Sequence, residues 1–255
     1  MDAEEFKGLI ERRGQAVPDT QGEDNGGSGL SKFLEKEQIS SMPVRAVKLS
    51  AAIGDSVDRN VVSYPLYNSF NYSIFLKRGH EPMKMSLGVT SPNRGEGKTT
   101  IVCNLAAALS MGSGKKTVVV DLNLSSPRVH EVFGTPRGPG LAEALGGHEI
   151  CVVPTQLANV YVLPIGSTRI VPPNNFPVFR EVLESLFREF EFVIVDLPPA
   201  GTKGFPTLIA NQLNGLLVVI RSRLTKRRDV RRLFQRVREE KVLGFILNGV
   251  DEDGF

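Results

Sequence analysis

The chain contains no tryptophan and only two cysteines, three histidines and four tyrosines in 255 residues. Cys103 and Cys151 lack metal-ligand spacing and stand in mostly apolar stretches, which excludes a paired-cysteine metal site and predicts buried thiols in a reducing compartment. Long apolar runs are also missing. The longest, such as Leu216 to Ile220, have the length of a strand and fall far short of the roughly 20 residues of a membrane helix. With no targeting signal at the start, the chain is expected to be soluble and cytoplasmic. A net charge of +3 is too small to nominate a partner, so any electrostatic argument must come from a local cluster. No internal repeat is apparent, which sets repeat architectures aside.

What is present is an ordinary globular composition, 41% apolar and 23% charged, enough for one α/β domain with an appendage. Residues 1–80 read as an N-terminal arm and linker: QGEDNGGSG at 21–29, isolated prolines and little sustained periodicity. Phe6, Leu9 and Ile10, and again Leu30, Phe33 and Leu34, have helical spacing. These segments read either as docking helices or as pieces too short to hold a helix alone.

Residues 81–255 read as one domain. MSLGVTS (85–91), KTVVVD (116–121), VYVLPI (160–165), FVIVD (192–196), GLLVVIRS (215–222) and LGFILNGV (243–250) read as buried strands. Helix-period segments, notably 98–110 and 174–190, lie between them. Continuous apolar strands alternating with helices predict a three-layer α/β fold with a mainly parallel sheet. Ligands of such sheets bind at the carboxyl ends of the strands.

At one such end stands SPNRGEGKTT, residues 91–100. It has the close of the phosphate-loop pattern G-x-x-x-x-G-K-[ST], with Pro92 where the leading glycine belongs. Gly95 and Gly97 let the backbone curl so that the amides of residues 93–100 face inward at a helix N-terminus. Lys98 would reach the outer phosphates and the Thr99 hydroxyl would hold Mg²⁺. Two strands end in acids, Asp121 and Asp196. Each could cap a turn, but together at one sheet edge they read as groups serving a metal ion or its water beside a triphosphate.

From Thr90 to Thr100 the loop resembles T-S-x-x-P-G-E-G-K-[ST]-T of the bacterial tyrosine kinases of capsule and exopolysaccharide assembly, within the MinD/ParA group of P-loop ATPases, with Arg94 in place of proline. NLAAALS (104–110), SPRVHEVFG (126–134), VPPNN (171–175), FEFVIVDLPP (190–199), VIRSRLTKRRDV (219–230) and GFILNGVD (244–251) extend the resemblance. It implies a P-loop ATPase fold that binds ATP and Mg²⁺ and transfers phosphate to tyrosine. Asn93, Arg94, Gly95, Glu96, Gly97, Lys98, Thr99 and Thr100 would bind nucleotide, Thr99 and Asp196 the metal, and Asp121 would activate the acceptor hydroxyl. Asn248, at the end of the last strand, is the candidate for reading adenine. The resemblance also implies a membrane adaptor or polysaccharide co-polymerase as partner at the inner face of the cell membrane, and possible self-association. Nucleic acid is not expected as a partner. ParA and MinD proteins carry a signature lysine where Asn93 stands, which weakens a partition-ATPase reading.

Three departures bear on activity. The family's D-x-D-x-R is here Asp121-Leu122-Asn123-Leu124-Ser125, so one carboxylate and one cation are missing and transfer is expected to be weaker. The chain as read ends in DEDGF without a tyrosine cluster, leaving Tyr64, Tyr67 and Tyr72 as candidate acceptors or packing residues. The stretch 67–76, YNSFNYSIFL, lacks the Glu and Arg of the family's oligomerising segment. A nucleotide-gated switch or scaffold is therefore the alternative. Finally, eight arginines and two lysines crowd residues 221–241, with Val230, Leu233, Phe234 and Val237 at helical spacing. This predicts an amphipathic helix whose arginines face either solvent or an anionic partner.

Overall fold

The computed structural model describes residues 84–167 and 176–249. The arm with its candidate helices and tyrosines, the VPPNN stretch and the tail from Val250 lie outside the described residues. In chain order the elements are β1 (Met85–Thr90), α1 (Lys98–Ser113), β2 (Thr117–Asp121), α2 (Val129–Phe133), α3 (Leu141–Leu145), β3 (Val153–Pro154), β4 (Val160–Leu163), α4 (Phe176–Glu189), β5 (Phe192–Asp196), α5 (Thr207–Gln212), β6 (Gly215–Arg221), α6 (Arg227–Leu233) and β7 (Val242–Asn248). The sheet order is β3-β4-β2-β5-β1-β6-β7. Every pairing is parallel except β3 with β4.

The strands read as unbroken apolar runs because both faces of the sheet are covered. Alternate residues serve opposite cores: Val118, Val120, Val193 and Val195 join one cluster, while Val119, Ile194, Leu87 and Val89 join the other. The second cluster packs under α1 and α2, the first under α3 to α6. Helix α4 shows how the pattern produces the packing. Its Phe179, Val182, Leu183 and Leu186, followed by Phe190, recur at helical spacing and are all buried. Full burial of side chains this large stabilises by roughly 1.5–3 kcal/mol each. Helix α1 is buried along most of its length, and its alanines 106–108 let it approach β2 and β5 closely. Gly114, in the left-handed region, ends it and donates its N–H to the Ser110 carbonyl.

The six expected strands are present within one or two residues at each end. The edge strand β3 was not expected, since two residues, one of them a proline, leave no alternation to read. The basic helix is shorter than the spacing predicts. It ends at Leu233, but turns with Gln235 N–H on Arg232 O and Arg236 N–H on Leu233 O carry near-helical spacing onward, so Val237 is still buried. Cys103 is buried as expected, whereas Cys151 is only partly covered. Among the described residues no helix is long and apolar enough to cross a membrane.

Candidate functional site

Parallel pairing of β2 with β5 sets Asp121 directly beside Asp196 at the carboxyl edge of the sheet. Both carboxyl groups are fully buried. The Asp121 carboxylate accepts the backbone N–H of Asn123 at 3.0 Å and of Val129 at 3.3 Å. Burial first, then the charge of Asp196, still push its pKa up to about 7. Burial likewise pushes Asp196 up to about 6, against the Thr99 hydrogen bond and the charge of Lys98. The Thr99 hydroxyl donates to Asp196 Oδ2 at 2.6 Å. Asp196 Oδ1 is buried without a hydrogen-bond partner. Such an atom is costly unless something else engages it.

The adjoining loop runs from Ser91 into α1. It is pinned at its start from the segment after β5: Ala200 N–H donates to Ser91 O at 2.8 Å, Gly201 N–H to Pro92 O at 3.1 Å, and the Thr90 hydroxyl to Pro198 O at 2.9 Å. Residue 201 has to be glycine, since a Cβ there would stand 2.7 Å from the Pro92 carbonyl oxygen. The loop is held again further along. Arg221 donates to Gly95 O at 2.9 Å, and Asn248 Nδ2 donates to Glu96 O at 2.9 Å. In a planar trans peptide the carbonyl and the next N–H point opposite ways, so these two bonds turn the amides of Glu96 and Gly97 away from Arg221 and Asn248. Gly97 is left-handed, φ 95°, and a Cβ on it would lie 2.1 Å from Asn248 Nδ2. Helix α1 then starts with neither a side-chain cap nor an acid in its first turn. Its partial positive charge is left for an anion.

Lys98, the first residue of that helix, is buried, and burial lowers its pKa against the attraction of Asp196 and Glu96. Arg94 and Gly95 form the exposed tip, while Thr100 lies in the first helical turn, its carbonyl accepting Asn104 Nδ2 at 2.8 Å. Sequence and geometry thus agree in bringing Lys98, Thr99, Asp121 and Asp196 to one edge. Three of the expected ligand groups also make contacts within the protein. The Asn93 and Glu96 side chains bond each other. Asn248, expected to read adenine, gives one of the two N–H groups of its side-chain amide to the Glu96 carbonyl. Conversely, Arg221, Thr225 and Gly201 hold the loop and carry no motif of their own. Only the basic run and the residues after Asp196 marked their neighbourhoods.

The model of the CobQ/CobB/MinD/ParA nucleotide-binding domain matches residues 87–254. The chain belongs to this family. Within it the chain falls among the bacterial tyrosine kinases. Tyrosine-protein kinase CpsD of Streptococcus agalactiae serotype III is 31% identical over 179 residues, 65% of this chain and 75% of the relative. Tyrosine-protein kinase YwqD of Bacillus subtilis is 26% identical over 211 residues, 77% of this chain and 88% of the relative. Among solved structures, the kinase domain of the Escherichia coli tyrosine kinase ETK matches with a TM-score of 0.68 at 21% identity, covering 97% of this chain and 95% of that one. MinD from Pyrococcus horikoshii, complexed with Mg-ADP, has a TM-score of 0.54 at 23% identity, covering 64% and 69%. The last two show the fold alone.

In this family setting the loop and the acid pair fit a magnesium nucleotide on the chain's own geometry. Among the described residues no group of three His, Cys, Asp or Glu could hold a metal by itself. A cation would instead share Thr99 and the unpartnered Asp196 oxygen with ligand oxygens and water, the manner in which Mg²⁺ sits beside phosphates.

Proposed function

We propose that this chain is an ATP-dependent protein-tyrosine kinase of a capsule or exopolysaccharide assembly system, docked at the cell membrane through a membrane-bound partner. The observation that carries this reading is the unpartnered Asp196 oxygen beside the Thr99 hydroxyl, one strand away from a second buried acid. Mg-ATP, when bound, supplies the transferable phosphoryl group and the divalent charge that offsets its oxygens.

The chain's own residues do the rest. The amides turned outward at Glu96 and Gly97, with the uncapped start of α1, bind the phosphate oxygens. Lys98 lies where its ammonium meets charge that builds on the transferred group, in a buried setting where the interaction is strong. Thr99 and Asp196 orient the cation. Asp121, held by the Asn123 and Val129 amides, takes the proton of the tyrosine hydroxyl as the acceptor attacks. Its neighbour Asn123 is buried and accepts the Ser125 hydroxyl at 3.3 Å. An amide there cannot take up a proton, so Asp121 acts without a second base.

The full chain should be incubated with γ-labelled ATP and Mg²⁺, with and without its candidate membrane partner, beside Lys98→Met. Phosphotyrosine in the wild type that disappears in Lys98→Met supports the reading. ATP binding with no labelled tyrosine in either condition refutes transfer. The residues would then describe a nucleotide-gated assembly factor, as the substitution of Asn123 for a carboxylate would favour.

A further inference from the structure

Glu96 is an acid inside a loop built to bind anions, only 3% exposed. A carboxylate facing the phosphates would repel them. Its oxygens are instead engaged by donors of the protein itself. Oε2 accepts the Asn93 backbone N–H at 2.8 Å, and Oε1 accepts Asn93 Nδ2 at 3.3 Å and the hydroxyl of Thr225. Thr225 is wholly buried, and its oxygen already accepts the Arg221 N–H at 3.0 Å, which directs its single proton to Glu96. All partners of the Glu96 carboxylate are therefore donors. Only a group that accepts on both oxygens satisfies them, and a side-chain amide does not.

The same residue is tied through its backbone. The Glu96 carbonyl accepts Asn248 from the end of β7, while Arg221, whose amide bonds Thr225, reaches the Gly95 carbonyl. Asn93 Nδ2 also lies 3.3 Å from Asp229 Oδ2 in the first turn of α6. The link from residue 96 back to the amide of residue 93 closes the loop on itself, downstream of the position where Pro92 replaces the usual glycine.

We propose that Glu96 is the positioning residue of the phosphate loop: it touches no ligand, but by anchoring Asn93 to Thr225 it keeps the loop amides aimed at the phosphates of a nucleoside triphosphate. This rests on the nucleotide-binding part of the proposed function and not on tyrosine transfer. It assigns the Asn93 amide to the loop, so the phosphate-binding amides begin after it.

The test is calorimetric titration of ATP with Mg²⁺ into the full chain, wild type against Glu96→Gln, Thr225→Val and Thr225→Ser. Thermal unfolding and hydrogen exchange of a peptide containing Asn93 are followed alongside. Loss of a charge-assisted bond predicts that Glu96→Gln weakens ATP binding about tenfold or more and speeds exchange at Asn93 by a similar factor. Thr225→Val should weaken binding about fivefold to tenfold, and Thr225→Ser, which keeps the hydroxyl, should restore it to within about twofold of wild type. Affinity of Glu96→Gln within twofold of wild type overturns the proposal. So does a loss of stability without loss of affinity, which would make Glu96 merely structural. If Glu96→Gln fails to fold, the contrast between Thr225→Val and Thr225→Ser decides, and equal affinities in those two overturn it. A wild type that binds ATP but labels no tyrosine refutes kinase activity and leaves these affinities to judge Glu96. A wild type without measurable ATP affinity overturns the proposal together with the nucleotide reading.

Discussion

Replacing Asp121 by asparagine should make the nucleotide-free protein more stable at pH 8 while abolishing transfer. In the folded state burial and the neighbouring Asp196 raise Asp121 from 3.8 to about 7. Below roughly pH 4 the carboxyl is protonated in both the folded and unfolded states and contributes nothing. Between there and pH 7 the unfolded chain ionises first. The folded state then holds more protons, and stability falls as pH rises. Above pH 7 the full penalty applies, about 4 kcal/mol for a displacement of some three units. The shift of Asp196 comes from its own burial, is present in both proteins and is not added. An asparagine removes the charge but accepts on one oxygen only. One of the bonds from Asn123 or Val129 is lost and a buried N–H is left unpaired, at a cost of about 1–3 kcal/mol. The net gain at pH 8 is roughly 1–3 kcal/mol, which for a domain of this size raises the melting temperature by about 2–12 °C. Scanning calorimetry from pH 5 to 8 checks this. Wild type should lose stability over that range and Asp121→Asn should lose much less. A variant less stable than wild type at pH 8, or a wild type indifferent to pH, would refute the account of the acid pair.

Other outcomes follow from single contacts. Mg-ATP should raise the wild-type melting temperature more at pH 8 than at pH 5.5, because burial raises Asp196 to about 6 and the cation meets a more fully ionised carboxylate at the higher pH; an equal rise at both would exclude the Thr99–Asp196 pair as cation ligands. Gly97→Ala should both destabilise the fold and remove measurable ATP binding, since its Cβ would stand 2.1 Å from Asn248 Nδ2 at a positive φ; titration and melting together check it. Gly88→Ala, whose Cβ would meet Leu216, Leu197 and Leu213 within 2.7 Å, should cost about 1–3 kcal/mol by denaturant unfolding. Phe179→Ala, at a fully buried position, should cost about 3–5 kcal/mol.

The amino-acid sequence by itself determined the layering of the domain and the chemistry of its edge. Strands such as Thr117–Asp121 and Phe192–Asp196 are apolar on both faces, a pattern only a covered parallel sheet satisfies, and an acid at the end of each is visible without coordinates. Local spacing also placed Gly97, Lys98 and Thr99 at a helix start. What the sequence does not contain is the order of the strands. That β5 lies between β1 and β2, and so brings Asp196 to both the loop and Asp121, is set by crossover packing between segments some 70 to 100 residues apart. For the same reason, tertiary structure alone decided the contacts of Glu96, Asn248, Arg221 and Thr225. In sequence Glu96 and Asn248 belong to the same set of ligand candidates. Only in space does a buried carboxylate find three donors, and a terminal asparagine a loop carbonyl 152 residues away. Hydrogen-bond satisfaction in a buried site depends on which groups meet, and that information resides in the packed chain.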